Sequence, residues 1–214
     1  MKSLVRYLYF GVLARIRIIL VRINQAIDFL YLRYYGVETG FGYVKLLGFP
    51  IIQRAPGSII KIGKGVTLVS TLRHNIAGIN HPVVLATLQE NAAITIDDGS
   101  GASGTVICAV NKISIGKHVA LGANCKIYDS DFHPVQPGKR LRQKSILDAR
   151  SASVSIGDHT WIGEGAIVLK GACMELGAVL SARSVLNTRA TAFSIYTGNP
   201  AVFVKKFDDD LAME

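Results

Sequence analysis

Cysteine is scarce in this 214-residue chain, and so are long uncharged apolar runs. The three cysteines, Cys108, Cys125 and Cys173, do not form closely spaced metal-binding pairs, so we expect buried, reduced thiols and a reducing compartment. The longest uncharged run of the N-terminal segment covers residues 7–14, far short of the ~20 residues that a membrane-spanning helix needs. Arginines interrupt this segment, which argues against a signal peptide. We therefore expect a cytoplasmic protein.

The chain is rich instead in a six-residue repeat, which runs without a slip from Ile156 to Thr191. Each hexad begins with a large apolar residue and carries a small residue at its fifth position. The large residues are Ile156, Ile162, Val168, Met174, Leu180 and Leu186, and the small ones are Thr160, Ala166, Ala172, Ala178, Ser184 and Ala190. An α-helix turns about 100° per residue, so this period would scatter the apolar positions over three faces. Six is a multiple of the strand period of two, so the pattern predicts a β-solenoid with six-residue sides.

The same pattern recurs upstream and sets the expected boundaries. Its hexads begin at Ile62, Leu68, Ile96, Ala102, Cys108, Ile115, Leu121 and Ile127. The step from Cys108 to Ile115 is seven residues, which predicts one extra residue in that coil. We expect the solenoid to cover residues 41–207 with a loop extruded at about 129–155, followed by an acidic C-terminal tail at 208–214.

Residues 1–40 form a basic segment of different character. From Leu4 to Tyr35 the chain has no proline and a single glycine, which predicts one or two helices. The basic residues are Lys2, Arg6, Arg15, Arg17, Arg22 and Arg33. Through residues 1–35 the protein can contact an anionic membrane peripherally, at the cytoplasmic face of the inner membrane. The helix can equally cap the open end of the solenoid, whose terminal coil otherwise exposes an apolar cross-section. Both alternatives stay open.

The repeat breaks immediately after Ile127, and polar residues follow until the hexads resume near residue 155. Functional side chains are often carried on loops that project from a rigid scaffold. Of the five histidines, His133 is the one that lies where a coil gives way to this loop. It is therefore the candidate catalytic residue. The alternative is a loop histidine that only hydrogen-bonds the backbone.

Three short motifs, in this order, resemble those of the hexapeptide-repeat acyltransferases: DFHP at 131–134, WIG at 161–163 and GNPA at 198–201. The resemblance covers roughly residues 58–207 and is strongest to the saccharide O-acetyltransferases related to the maltose, galactoside and xenobiotic enzymes. It implies a left-handed parallel β-helix that forms a homotrimer and binds acetyl-CoA in the groove between subunits. The implied function is transfer of an acetyl group to a saccharide hydroxyl, for example on a surface polysaccharide or a lipid-linked glycan.

The resemblance also implies roles for two residues of the loop. His133 matches the general base, which takes the proton of the acceptor hydroxyl as that oxygen attacks the thioester carbonyl. Asp131 orients the imidazole, binds the acceptor or caps the turn. No covalent enzyme intermediate is needed, so the lack of a nucleophilic triad is no objection.

Residues of later coils are implied to hold acetyl-CoA. They are Trp161, Gly163 and Ala182 for the pantetheine channel, Asn199 in the segment that closes the last coil near the donor, and Lys205 and Lys206 for the nucleotide phosphates. Charge complementarity between lysine and phosphate supports the last assignment.

The acceptor side departs from the family pattern. Ala102, Ser103 and Gly104 stand where the galactoside and maltose enzymes have an asparagine, so Ser103 is a substitute candidate. Further candidates are His74, Asn75 and His81, in an irregular segment that resembles a feature of the surface-polysaccharide branch. A simple loop explains each of them as well. The basic run from Lys139 to Lys144 can face CoA phosphates, an anionic glycan or solvent.

Other functions are compatible with a solenoid. A zinc-dependent, carbonic-anhydrase-like enzyme would need a closely spaced histidine pair, but the residue five beyond His118 is Ala123, so no metal is expected. A non-catalytic scaffold would not need His133 and Trp161. The sequence pI of about 9.6 raises nucleic-acid binding, but the positive charge lies in a helix and a loop without a recognised binding motif, so no nucleic-acid partner is expected.

Overall fold

A computed structural model describes residues 2–208, with side chains from residue 16 onward. One long helix precedes a solenoid in which each coil contributes a strand to each of three sheets. The helices are α1 (Lys2–Tyr34) and α2 (Pro137–Leu141), with 3-10 turns at Leu72–His74 and Ile146–Asp148. The strands are β1 (Val44–Leu47), β2 (Ile51–Arg54), β3 (Ile59–Ile62), β4 (Val66–Val69), β5 (Val84–Thr87), β6 (Ala93–Ile96), β7 (Gly101–Ser103), β8 (Val106–Ala109), β9 (Lys112–Ile115), β10 (Ala120–Leu121), β11 (Lys126–Tyr128), β12 (Val154–Ile156), β13 (Trp161–Ile162), β14 (Ile167–Val168), β15 (Cys173–Met174), β16 (Val179–Leu180), β17 (Val185–Leu186), β18 (Arg189–Ala190), β19 (Ser194–Gly198) and β20 (Ala201–Lys206).

Strands one coil apart pair in parallel, which gives the three sheets of the solenoid. Sheet 1 has the order β1-β4-β7-β10-β13-β16-β19-β20, sheet 2 the order β17-β14-β11-β8-β5-β2, and sheet 3 the order β18-β15-β12-β9-β6-β3. At the C-terminal end of sheet 1, β19 and β20 form an antiparallel hairpin. Strand β20 therefore covers an edge that the last coil would otherwise leave open.

The core is a set of ladders that the six-residue period builds. In sheet 3, a continuous register joins Ile62, Ile96, Ile115, Ile156 and Met174, all of them buried. Burying one such side chain contributes about 1.5–3 kcal/mol, so each added coil strengthens the solenoid. The small fifth-position residues of the hexads, such as Ala166 and Ala178, are buried as well. The predicted roles of both hexad positions are confirmed.

One predicted register is wrong by a residue. Cys108 was expected to begin a hexad and face inward, but its side chain is only half-buried, whereas Ile107 and Ala109 are buried. Ile107 lies in register with Leu85 and Ile127 in sheet 2. Pairing between coils therefore decides which residue faces inward, because strand alternation would place either neighbour there.

Two segments leave the solenoid between strands. The first, residues 70–83, connects β4 to β5, and the second, residues 129–153, connects β11 to β12. The second corresponds to the predicted extruded loop, which was expected to end at about residue 155 and ends at residue 153. Asn124, at the corner between β10 and β11, fastens the first segment, because its Oδ1 accepts from the N–H of Asn80 at 2.7 Å and its Nδ2 donates to the carbonyl of Gly78 at 3.2 Å.

The last turns of α1 cover the first coil. Leu32 is fully buried, the hydroxyl of Tyr31 donates to the carbonyl of Pro50 at 2.6 Å, and the N–H of Leu46 donates to the Asp28 carboxylate at 3.1 Å. Burial raises the pKa of Asp28, and the Leu46 N–H group opposes that rise. This part of the helix matches the capping alternative.

From Ile16 to Ile23, the apolar side chains of α1 are largely exposed. Exposed apolar residues there are Ile16, Ile18, Ile19, Leu20, Val21 and Ile23. Within the described part of the chain, no helix combines the length and apolar character needed to cross a membrane. The side chains of Lys2, Arg6 and Arg15 and residues 209–214 of the predicted tail lie outside the described residues.

Candidate functional site

A buried aspartate fastens the extruded loop to the solenoid. The Asp129 carboxylate accepts hydrogen bonds from the N–H groups of Val110 and Asn111, both at 2.7 Å. Burial raises the pKa of Asp129, and these N–H groups oppose that rise. Two residues on, the N–H of Asp131 donates to the carbonyl of Arg150 at 3.0 Å, so the chain leaves and returns at one point. The base of the loop is therefore held by residues at both its beginning and its end.

The backbone turns sharply where the loop begins. Phe132 has a φ of 61°, in the left-handed region that costs a non-glycine residue about 1–2 kcal/mol. The ring of Phe132 packs edge-on against Tyr128, with ring centroids 5.3 Å apart. The backbone N–H of Phe132 donates to the hydroxyl of Ser130 at 3.1 Å. These contacts hold the turn that brings His133 to the surface.

Gln143 holds the imidazole of His133. Its Nε2 donates to the carbonyls of Phe132, at 2.8 Å, and Ser145, at 3.0 Å, so its Oε1 must face the histidine. That oxygen lies 2.8 Å from His133 Nδ1. Because an amide oxygen only accepts, Nδ1 carries the proton and Nε2 keeps its lone pair. This tautomer can accept a proton from a hydroxyl at Nε2.

His133 borders an open depression of about 500 Å³ on the extruded loop, which we call the loop cavity. Its other lining residues are Arg140, Gln143, Lys144, Ser145 and Ile146. A capping box shapes this wall, since Ser145 and Asp148 exchange hydrogen bonds between side chain and backbone. The volume lies in the range of small-molecule sites.

Asp131 does not hold the imidazole. Its carboxylate forms an ion pair with Lys170, at 2.7 Å, and both side chains are about one-third exposed. The orienting position that the resemblance gave to Asp131 is occupied by Gln143, ten residues beyond His133. The backbone of Asp131 contacts the histidine, since its carbonyl accepts from the His133 N–H at 2.7 Å.

A second depression, of about 400 Å³, lies along the outer face of sheet 1, and we call it the sheet groove. Trp161 lines it with 57 % of its surface exposed. The remaining lining residues are Thr67, Val69, Gly99, Gly101, Ala102, Ser103, His118, Val119, Ala120, Leu121 and Gly122. Small residues below an exposed indole leave room for a thin, extended chain.

Trp161 and Lys205 lie in one register row of sheet 1. Trp161 pairs with Val179, Val179 with Ile195, and Ile195 with Lys205. Residues that are directly paired point to the same face, so indole and ammonium share the outer face. Three strand spacings of roughly 4.8 Å separate them by ~14 Å. Lys206 is the next residue along β20 and projects to the opposite side.

The remaining donor candidates lie at corners of the same sheet. Asn199 is exposed in the turn between β19 and β20. Gly163 is buried immediately after β13, and a Cβ atom there would collide with the backbone of Ala182 on the next coil. Glycine at this position allows the two coils to stack closely. Ala182 itself is exposed.

The acceptor candidates are spread over two places. Ser103 lines the sheet groove with Trp161. His81 lines a separate cavity of about 310 Å³ beside residues 70–83, where its Nδ1 lies 2.9 Å from the carbonyl of Pro82. His74 is exposed, and the side-chain oxygen Oδ1 of Asn75 accepts a hydrogen bond from the N–H of Ala77 at 2.9 Å. None of these four lines the loop cavity beside His133.

Within one chain, the loop cavity and the sheet groove share no lining residue. The structure thus brings His133 together with Gln143, Arg140 and Lys144, and Trp161 with Ser103. Among the side chains of residues 16–208, no group of three or more His, Cys, Asp or Glu could hold a metal ion. Sequence analysis missed Gln143 because it lies in a loop without a period or a recognisable motif, and Lys170 because its hexad position shows no preferred residue type.

No protein-family model matches the chain. A candidate acetyltransferase of Staphylococcus aureus (strain COL) is 32% identical over 117 residues, which cover 48% of this chain and 59% of that protein. The chain thus spans little more than half the length of this curated relative.

Three solved structures resemble the fold. A single-residue variant of AntD, an N-acyltransferase from Bacillus cereus, solved with dTDP-4-amino-4,6-dideoxyglucose and coenzyme A, has a TM-score of 0.60 at 17% identity and covers 85% of this chain and 90% of its own. A hexapeptide-repeat acetyltransferase from Vibrio cholerae with acetyl coenzyme A has a TM-score of 0.54 at 17% identity, covering 88% and 84%. A maltose O-acetyltransferase from Clostridium difficile has a TM-score of 0.51 at 18% identity, covering 89% of both chains. The predicted fold, a left-handed parallel β-helix, is confirmed.

Proposed function

We propose that this chain is an acetyl-CoA-dependent O-acetyltransferase that modifies a hydroxyl of a saccharide. The observation that carries the proposal is the hydrogen bond from His133 Nδ1–H to Gln143, which leaves Nε2 free to accept a proton at the loop cavity. Neighbours of the same fold that were solved with coenzyme A, acetyl coenzyme A or a nucleotide sugar support the choice of substrates.

The reaction needs one base and no covalent enzyme intermediate. The acceptor oxygen attacks the thioester carbonyl carbon while its proton passes to Nε2 of His133. The tetrahedral intermediate then expels the CoA sulfur, which takes the proton from the imidazolium as the ester forms. A positioned base contributes about 10²- to 10⁴-fold to such a step. Gln143 acts as a positioning residue, because it accepts from Nδ1–H before and after the transfer.

The sheet groove and its register row suit the donor. Trp161 offers an exposed apolar face to the pantetheine arm, and Lys205 offers a cation on the same face for the CoA phosphates. A separation of ~14 Å requires one long ligand to reach both, and CoA has that shape. Asn199 and Ala182 border the same end of the sheet.

We place the complete site between two subunits of a homotrimer. Transfer requires the thioester and the base to meet, yet the sheet groove and the loop cavity share no residue within one chain. If the loop of one subunit covers the groove of its neighbour, both parts come together three times around a closed ring.

The N-terminal helix would hold this enzyme beside lipid-linked or surface glycans at the cytoplasmic face of a membrane. From Ile16 to Ile23, the helix carries six exposed apolar side chains and two arginines, Arg17 and Arg22. Apolar residues and arginines together favour the interface of an anionic bilayer.

The direct test is acetyl transfer by the purified chain, followed as release of free CoA thiol with a panel of saccharides. His133→Ala should lower turnover by about 10² or more and leave CoA affinity nearly unchanged. Leu141→Ala is the control, because Leu141 is exposed in the same loop but does not line the loop cavity. Normal turnover by the His133 variant would contradict the proposed base.

A further inference from the structure

The wall of the loop cavity carries positive charge beside the proposed base. Two of its six lining residues, Arg140 and Lys144, are cations, and none is acidic. Building on the proposed function, we propose that the saccharide acceptor carries a phosphate group and that Arg140 and Lys144 bind this phosphate.

Neither cation forms an ion pair with a carboxylate of the described residues. The ion pairs among residues 16–208 join Lys170 to Asp131, Arg183 to Glu164 and Arg189 to Glu175, so none involves Arg140 or Lys144. Asp148, in the same segment, accepts hydrogen bonds from the N–H groups of Lys144 and Ser145, at 2.9 and 3.1 Å. These bonds, with a smaller effect of the Lys144 charge, lower the pKa of Asp148, and they turn its carboxylate toward the backbone.

Arg140 is held in place while most of its donors stay unused. Its Nη1 donates to the carbonyls of Val135, at 3.1 Å, and Pro134, at 3.4 Å. No hydrogen bond to the described residues uses its Nη2 or Nε. A guanidinium that is anchored on one nitrogen presents a fixed fork of remaining N–H groups, which suits the oxygens of a phosphate.

The position of the cavity favours the acceptor over CoA as the source of the phosphate. His133 and the two cations line one cavity, so a phosphate bound there lies close to the proton that His133 removes. In acetyl-CoA, the whole pantetheine arm separates the thioester from the phosphates. With the thioester at His133, the phosphates of CoA would lie outside this cavity.

The charge of the site favours phosphate over carboxylate. A phosphomonoester or a diphosphate carries about two negative charges near neutral pH, which two cations match, whereas a uronic acid carries one. The volume of about 500 Å³ accommodates a sugar with its phosphate. A sugar phosphate, or a sugar linked through a diphosphate to a carrier, is therefore the acceptor class.

Calorimetric titration of the full chain with glucose 1-phosphate, glucose and glucuronate at low salt tests the proposal. Glucose 1-phosphate should bind at least about tenfold more tightly than glucose, because hydrogen bonds to charged groups are worth more than a tenfold factor in affinity. Arg140→Gln and Lys144→Gln should each remove most of this preference. Lys139→Gln is the matched control, since Lys139 belongs to the same short helix but does not line the cavity.

Three results would overturn the proposal. They are equal binding of glucose and glucose 1-phosphate, equal binding of glucuronate and glucose 1-phosphate, and loss of CoA affinity rather than of sugar-phosphate affinity in the Arg140 and Lys144 variants. The titration involves no acetyl transfer. Retained phosphate binding without transfer to any acceptor would therefore contradict the proposed function while supporting the phosphate site.

Discussion

Gln143 Oε1 lies 2.8 Å from Nδ1 of His133, while the amide nitrogen of the same glutamine donates to two backbone carbonyls. The carbonyls of Phe132 and Ser145 decide which way the amide points, and the amide in turn decides which imidazole nitrogen carries the proton. A backbone turn thus determines the protonation pattern of the proposed base.

Gln143→Leu should therefore disturb catalysis more than binding. Without the amide, the imidazole can rotate and adopt the other tautomer, so we expect kcat to fall by roughly tenfold or more with little change in KM. Nitrogen NMR of His133 should show a proton fixed on Nδ1 in the native chain and a mixture in the variant. Gln136→Leu, an exposed glutamine of the same loop, should change neither.

Gln143→Glu extends the same experiment. A carboxylate beside the imidazole favours its charged form, so the acidic limb of the pH dependence of kcat/KM should move to higher pH. An unchanged profile together with an unchanged tautomer would show that Gln143 has only a structural role.

Trp161 and Lys205 should be separable with a shortened donor. Trp161→Ala should lower the affinity for both acetyl-CoA and acetyl-pantetheine by roughly tenfold, because both donors contain the arm that packs on the indole. Lys205→Gln should lower the affinity for acetyl-CoA alone, because acetyl-pantetheine lacks the nucleotide phosphates. Lys206→Gln should have the smaller effect, since alternation along β20 turns it away. Equal losses with both donors for Lys205→Gln would remove the phosphate assignment.

Sites shared between subunits predict complementation. His133→Ala and Trp161→Ala are each expected to be poorly active. Co-refolding equal amounts of the two variants should restore about a quarter of the sites, because an intact loop meets an intact groove at about one interface in four when subunits mix at random. Sedimentation should show a trimer in every sample. A fully active monomer, or a mixture no more active than its parts, would contradict the shared site.

Cys108 and Cys125 should be slow to alkylate, although Cys108 is only half-buried. Burial raises the pKa of Cys108 and of Cys125 to about 11, and the charge of Asp129 contributes at Cys108. At pH 8 only about one thiol in a thousand is then the reactive thiolate, and the rate should rise about tenfold per pH unit. Peptide mapping after iodoacetamide treatment measures this, with urea-unfolded protein as the fast control. Rapid labelling of folded Cys108 at pH 8 would contradict the raised pKa.

The membrane role predicts a difference between two forms of the chain. The full chain should cosediment with anionic vesicles at low salt, and salt should weaken binding, since each arginine near the surface contributes about 1 kcal/mol. A form beginning at residue 24 should lose this binding but keep its fold, because the described capping contacts begin later, at Asp28, Tyr31 and Leu32. Equal vesicle binding by the two forms would leave α1 with its capping role alone.

Much of the fold could be predicted because the repeat is local. A hexad such as Ile156 to Trp161 carries its own large and small inward positions, so each side of the solenoid is encoded within six residues. The break after Ile127 located the extruded loop for the same reason. Cys108 was placed wrongly because a strand of four residues can present either alternate set inward, and only pairing with Leu85 and Ile127 decides between them.

The sequence by itself determined the solenoid, the position of the loop and the location of His133 where a coil gives way to it, because these depend on residues close together in the chain. Only the tertiary structure decided that Gln143 rather than Asp131 holds the imidazole, that Lys170 takes the Asp131 carboxylate, and that Trp161 and Lys205 share a row. The loop has no period, so its contacts depend on how its backbone turns back on itself. The row joins residues 44 positions apart, and stacking of successive coils is what brings them onto one face.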